Sequence, residues 1–494
     1  MAGPRYPALF QVNTRARLSE LSAAKGRPAT LDDIPDAELD RLAADGFDLV
    51  WYLGVWQTGE AARSVSASNA GWRAEYQRVL PDFQESDVCG SCFAVHDYRV
   101  HADFGGDAAL ARLRARLRER GLRLILDFVP NHMAPDHPWV ADHPDWFVAG
   151  DEGLLERQPQ NYRRVETGGG SRVLAYGRDP YFDGWPDTFQ LNYGNPALQE
   201  AMLGELLRIA RQCDGVRCDM AMLVLPDVFQ KTWGVSSAPF WPRATAAVRS
   251  AVPGFLFLAE VYWDLEWTLQ EQGFDYTYDK RLYDRLERGY ARPVREHLYA
   301  GLDFQDRSAR FLENHDEPRA AAAFPFEVHR AAAVVTFLAP GLRFFHQGQR
   351  QGKTVKIPVH LRRGPAEKPD PATVAFYDHL LACLRDPAFR DGAWQLLDCR
   401  EAWAGNPTAD DFVAFSWTGP GGSRRLVAVN YSPHQSQCYV GLPWGDLPGR
   451  TWRLKDRLGP AVYDRDGEDL ARRGLYLDLT AWGYHVFEVH PSGD

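Results

Sequence analysis

Two rhythms of apolar and polar residues divide this chain. In the first, short apolar runs alternate with stretches whose apolar residues recur at helical spacing. "ALFQVNT" (8–14) reads as a first strand and "FDLVWYLGVW" (47–56) as a second. Leu110, Leu113 and Leu117 then repeat as a helix, with Asp107 as candidate N-cap and Gly121 as its stop. A third strand follows from Leu122 to Phe128. At Asn195-Pro196 a cap is followed by proline at the first helical position, and Leu198, Met202, Leu206 and Ile209 form the next stripe. The chain then enters "DGVRCD", and "FLFLAE", "FDYTYD", "ARFLENHD" and "LRFFHQGQ" follow. These are enough strands to close a parallel (β/α)8 barrel, with a helix in most intervals.

After about residue 390 the rhythm changes to short alternating strands broken by glycine and proline: "DFVAFSW", "RRLVAVNYS", "SQCYVGL", "TWRLKDRL" and "GLYLDLTAWGYHVFEVH". They predict an antiparallel β-sandwich over 391–494. The interval 133–192 is too long for a βα loop and predicts a small inserted domain after strand three. The barrel is then assigned residues 1–132 and 193–390, an α/β fold with two additions.

Composition narrows the class. The 494 residues, 45% hydrophobic and 25% charged, suit a globular enzyme of more than one core. A net charge of −10 argues against a nucleic-acid partner. Arg112, Arg114, Arg116 and Arg118 read as a solvated helix face. Seven cysteines, an odd number, give no disulfide framework. The longest apolar stretch, Ala331 to Leu342, is too short to span a membrane, and the N-terminal residues show no signal-peptide core. The cytoplasm is the expected location. Cys89-x-x-Cys92 has no second pair at zinc spacing, and His132, His137 and His143 sit in a proline-rich loop context, so neither group predicts a metal.

Polar chemistry gathers at strand ends. Asp219 closes "GVRCD", Glu260 closes "FLFLAE", Asp316 lies in "ENHDEPR", and Asn131-His132 end "LRLILDFVPNH". Barrel enzymes collect their active sites from such C-terminal strand ends. Paired carboxylates suit glycoside hydrolysis.

"DFVPNH" (127–132), "GVRCD" (215–219), Glu260 and "NHD" (314–316), in this order and strand context, resemble the four conserved regions of the α-amylase superfamily of glycoside hydrolases. The resemblance implies Asp219 as nucleophile, Glu260 as general acid and then base, and Asp316 as transition-state stabiliser. Arg217 would hold Asp219 ionised, and Phe93, His132 and His315 would contact the sugar. It implies a retaining enzyme acting on α-linked oligosaccharides. A transglycosylase or phosphorylase on the same scaffold is the first alternative, and a non-catalytic amylase-like binding subunit the second. Oligomeric state stays open.

Several positions depart from the family pattern. Phe93 stands at the usual tyrosine platform. Ala94 stands where exo-acting relatives carry a chain-end aspartate, while "NHDEPR" resembles exo-acting relatives. Met222-Leu223 replace a Lys-His pair and predict a more apolar leaving-group side. Gln190 replaces a carboxylate that pairs with Asn131 around calcium in many relatives, so no metal is expected.

Overall fold

The computed structural model describes residues 3–493. Eight parallel strands close into a barrel in chain order. They are β1 (Ala8–Asn13), β2 (Leu49–Leu53), β3 (Arg123–Phe128), β4 (Gly215–Cys218), β5 (Leu256–Ala259), β6 (Tyr276–Tyr278), β7 (Ser308–Arg310) and β8 (Leu342–His346). Closure is made by β1 against β8, with Ala8 opposite Arg343. Each corresponds to a strand expected from the apolar runs.

The helix Gly106–Glu119 buries Leu110, Leu113 and Leu117 as their spacing requires. Its N-cap is Gly105 at φ +93°, not Asp107. Asp107 lies in the first turn and accepts from the Val100 amide at 2.8 Å. Gly121, at φ +74°, follows the helix end. Asn195 caps the helix Pro196–Ala210, accepting from the Ala197 amide at 2.9 Å. The arginine run is more than a solvated face. Arg114 and Arg118 both grip Asp214, just before β4, while Arg112 reaches Asp32 and Arg116 reaches Asp36. Alternate positions on this helix tie it to the elements on either side of it.

The 133–192 segment leaves and returns side by side. Met133 pairs with Phe189 and His132 with Gln190 in a two-residue antiparallel ladder. Between them lie a hairpin, Tyr162–Thr167 against Gly170–Ala175, and two short helices. A second excursion was not apparent in the apolar pattern. Between β2 and the helix Gly106–Glu119 the chain forms two helices, Glu60–Ser68 and Ala70–Val79.

Beyond the barrel, a six-stranded antiparallel sheet packs with a three-stranded one. Alternation along the strands assigns each side chain to a core. On Phe412–Thr418, Val413, Phe415 and Trp417 join the barrel core, whereas Phe412 and Ala414 join the core of the β-domain itself. The Trp417 indole donates to the Leu338 carbonyl at 2.9 Å, fixing the sheet against a barrel helix.

Candidate functional site

The site forms at the C-terminal ends of β4, β5 and β7. Arg217 lies within β4, and strand alternation places Asp219 on the same face two residues later. Arg217 is fully buried and donates from Nη1 to Asp219 Oδ1 and from Nη2 to Glu260 Oε2, both at 2.6 Å. One guanidinium therefore holds two carboxylates. Its charge is enclosed by the rings of Trp51, Phe93 and Tyr278, at 5.3, 5.2 and 5.7 Å.

Glu260 is fixed from three sides. Besides Arg217, the Met220 amide donates to Oε2 at 2.8 Å and the Tyr262 hydroxyl to Oε1 at 2.9 Å. Met220 reaches this geometry in the left-handed region, at φ +41°, a conformation costly for a side chain with a Cβ and found at functional sites. Burial, opposed by Arg217 and reinforced by Asp219 and Asp316, pushes the Glu260 carboxyl up to about 7. That is a value suited to a proton donor near neutral pH.

Asp316 opens onto the pocket, with 43% of its side chain exposed, and His315 Nε2 lies 2.9 Å from its Oδ2. Crowding by the surrounding protein would raise its carboxyl, but His315, Arg217 and Lys356 outweigh this and hold it at about 2. The two carboxyls of one pocket are thus pushed in opposite directions, Glu260 up and Asp316 down.

Asp219, Glu260, Asp316, Phe93 and His132 line one cavity of about 440 Å3. Arg217 and His315 do not line it. Arg217 acts on a ligand only through the carboxylates it holds. His315 is packed behind Asp316, against Phe93 (5.3 Å) and Trp51 (5.6 Å), with Gln11 Nε2 2.9 Å from its Nδ1. Met222 and Leu223 are buried among core residues and do not line the cavity, so they do not make the leaving-group side apolar. Met220 does line it.

Other lining groups were not singled out from the sequence: Tyr262, Trp185, Asp187, Trp72 and His360. Tyr262 had a signal, since it lies two positions after Glu260. Trp72 and His360 had none, because only long-range folding brings them here. Trp263 does not line the cavity; it is exposed, with its ring 5.0 Å from that of Tyr181.

The calcium position fails a test of fit. The Gln190 side-chain amide donates to the Asn131 carbonyl and Oδ1, both at 2.9 Å, and to the Leu191 carbonyl at 3.2 Å. Its oxygen faces the Arg178 amide. The oxygens that would ligate a cation already converge on an NH2 group, and no carboxylate adds negative charge there. Among the described residues no group of three or more His, Cys, Asp or Glu is placed to hold a metal ion.

With this fold and geometry, comparison with known proteins defines the class. The α-amylase catalytic-domain family model matches residues 83–414, more than half of the chain, and the protein belongs to the α-amylase family. It is similar to the α-amylase MalA of Haloarcula japonica, 24% identical over 345 residues, covering 65% of this chain and 41% of that protein. It is also similar to the α-1,4-glucan:maltose-1-phosphate maltosyltransferase of Pseudomonas aeruginosa, 26% identical over 239 residues, 48% of this chain and 30% of that one. The chain thus spans about half or less of the length of these curated relatives. Among solved structures, the maltogenic α-amylase AmyB of Thermotoga neapolitana superposes with a TM-score of 0.68 at 18% identity, covering 98% of both chains. At that identity the likeness shows the fold. No helix among the described residues is long and apolar enough to cross a membrane.

Proposed function

We propose that the protein is a retaining glycosidase that cleaves α-glucosidic bonds in maltooligosaccharides or related α-glucans. The observation that carries this reading is the pair Asp219 and Glu260 on one guanidinium. Carboxylates bonded to two nitrogens of one arginine stand close. This favours the retaining separation of about 5–5.5 Å over the wider gap that an inverting water needs.

In this reading Asp219 attacks the anomeric carbon as Glu260 gives its proton to the glycosidic oxygen. The bond from that carbon to the leaving sugar breaks, and a glycosyl ester to Asp219 Oδ forms. Glu260, now ionised, takes a proton from water, whose oxygen displaces Asp219 and regenerates the carboxylate. Asp316, held ionised, faces the positive charge that develops on the ring. Phe93 and His132 present a ring face and an imidazole to the same sugar. Burial lowers the His132 imidazole to about 3, so it meets sugar hydroxyls as a neutral group. The segment 133–192 serves as an inserted domain that walls the pocket, and 391–494 as a supporting β-domain. All seven cysteines are free thiols, in keeping with a reducing compartment.

A second reading, transfer of the glycosyl group to a sugar or to phosphate, uses the same ester. The similarity to maltosyltransferases favours it. Incubation with maltooligosaccharides, sucrose and trehalose, with and without phosphate, separates the two. Glucose or short free oligosaccharides are expected. Longer oligosaccharides or a sugar phosphate as the dominant early product would replace hydrolysis by transfer.

A further inference from the structure

Asp187 is a pocket-lining group with no assigned task. It lies two residues after Trp185 on the returning arm of the 133–192 segment. It is 3% exposed, and its Oδ2 is buried without a hydrogen-bond partner. An unsatisfied buried acceptor costs roughly 1–3 kcal/mol, and more when charged. Such a group is expected where a ligand supplies the missing donor. Its carboxyl is raised by burial, to about 6, and none of the three site carboxylates contributes to that shift.

What faces Asp187 is built for a hydroxyl. His360 Nε2 lies 3.8 Å from Asp187 Oδ2, beyond a direct hydrogen bond. A hydroxyl oxygen set to one side of the pair, on the cavity side, can lie within hydrogen-bond reach of both. Burial, then Arg15, keeps the His360 imidazole neutral at about 4, so the pair is not a standing salt bridge at neutral pH. The His360 ring stacks on Trp72 at 4.2 Å and 20°. Its backbone carbonyl accepts from the Cys89 amide at 2.9 Å, which joins this wall to the stretch carrying Phe93. Three separate excursions meet here: the helix Ala70–Val79, the returning arm at Asp187, and the loop after β8. Glu260, Met220 and Tyr262 line the same cavity. Phe93 is read above as the ring face under the sugar that bonds to Asp219, so the wall tied to the Phe93 stretch borders that sugar.

We propose that Asp187, with His360 and Trp72, is an anchor for the hydroxyls of a terminal sugar ring, selecting substrates with a free non-reducing end. This rests on the reading of Asp219 as nucleophile and Phe93 as the ring face under its sugar. The carboxylate accepts from one ring hydroxyl, the neutral imidazole bonds a second or bridges the first, and the Trp72–His360 stack closes the wall behind them. A blocked chain end then leaves buried polar groups unpaired, the arrangement that discriminates most strongly.

The test compares a maltoheptaoside with a free non-reducing end and the same compound with its terminal 4- and 6-hydroxyls blocked by ethylidene, product formation being followed by chromatography. The native protein is expected to prefer the free substrate by about 100-fold or more in kcat/KM. Asp187→Ala and the near-isosteric Asp187→Asn are expected to raise KM for the free substrate with kcat changed far less, shrinking that preference below tenfold. Equal cleavage of both substrates by the native protein, or an unchanged kcat/KM in both variants, overturns the anchor. Should no α-glucoside be cleaved, the catalytic reading fails separately, and titration calorimetry with maltose decides the anchor alone. Weaker binding by both variants supports it. Equal binding, or no binding by the native protein, overturns it.

Discussion

The two flanks of the pocket rest on different supports. Asp219 and Glu260 emerge from β4 and β5, and their carboxylates are bound to an arginine that is itself fully buried. The other wall is assembled from a helix, a returning arm and a loop: Trp72 stacks on His360, His360 lies beside Asp187, and the Cys89 amide bonds the His360 carbonyl. On the strand flank each of the three carboxylates has a side-chain partner. On the loop flank one buried carboxylate oxygen has none. Geometry for bond breaking tolerates little error, and strand ends supply it. Recognition tolerates variation, and excursions from the barrel supply that.

The comparison breaks most visibly when the strand flank is altered. Asp219→Asn is expected to lower kcat by roughly four to six orders of magnitude, with an unchanged circular dichroism spectrum. An effect below tenfold contradicts its role as nucleophile. Next in size is Arg217→Met. This leaves two buried carboxylates without their counter-charge, and a loss of about 3–5 kcal/mol in urea unfolding is expected, together with loss of activity.

The pH profile sharpens the same flank. Glu260 must be protonated to give a proton, so activity is expected to fall above about pH 7, tenfold per unit. In Glu260→Gln, assayed on a substrate with an activated leaving group, that limb should vanish. The stability linkage has a matching sign. Because the folded carboxyl is raised, its contribution is fully present below the usual glutamate range and is lost as pH rises through about 7. Thermal unfolding of native protein against Glu260→Gln between pH 5 and 8 reads this difference.

The smallest effect concerns the base of the inserted segment. Gln190→Ala removes an amide donating to three buried oxygens and should cost about 1–3 kcal/mol. Calcium or a chelator should leave the melting temperature of the native protein unchanged, with no calcium in elemental analysis after dialysis. One calcium per chain, with stability lost on chelation, would show that the Gln190 amide does not take the place of the ion.

The same division explains what was legible in the sequence. Most barrel strands are readable as compact apolar runs, and Asp219 and Glu260 can be marked because each follows its run directly, with Asp316 a few residues beyond β7. Arg217 was readable by strand alternation, although its complete burial and its hold on Glu260 were not. Asp107 was misplaced as a cap because Gly105 can take a left-handed φ and begin the helix earlier. Nearness to Asp219 in sequence suggests the leaving-group side for Met222 and Leu223, but the tight turn after Met220 directs them into the core. Trp72 and His360 are 288 residues apart in sequence, and no local pattern announces that their rings will stack. The helices between residues 60 and 79 are short and polar enough to resemble an ordinary loop.

In the proposed reaction Asp219 forms a covalent bond to the sugar while Glu260 handles the proton. The most direct measurement is mass spectrometry of the protein after reaction with 5-fluoro-α-D-glucosyl fluoride, followed by peptide mapping. A gain of one fluoroglucosyl unit is expected, located on the peptide containing Asp219 and absent in Asp219→Asn. A label on another carboxylate, or turnover of the fluoride with inverted configuration and no trapped ester, would contradict it.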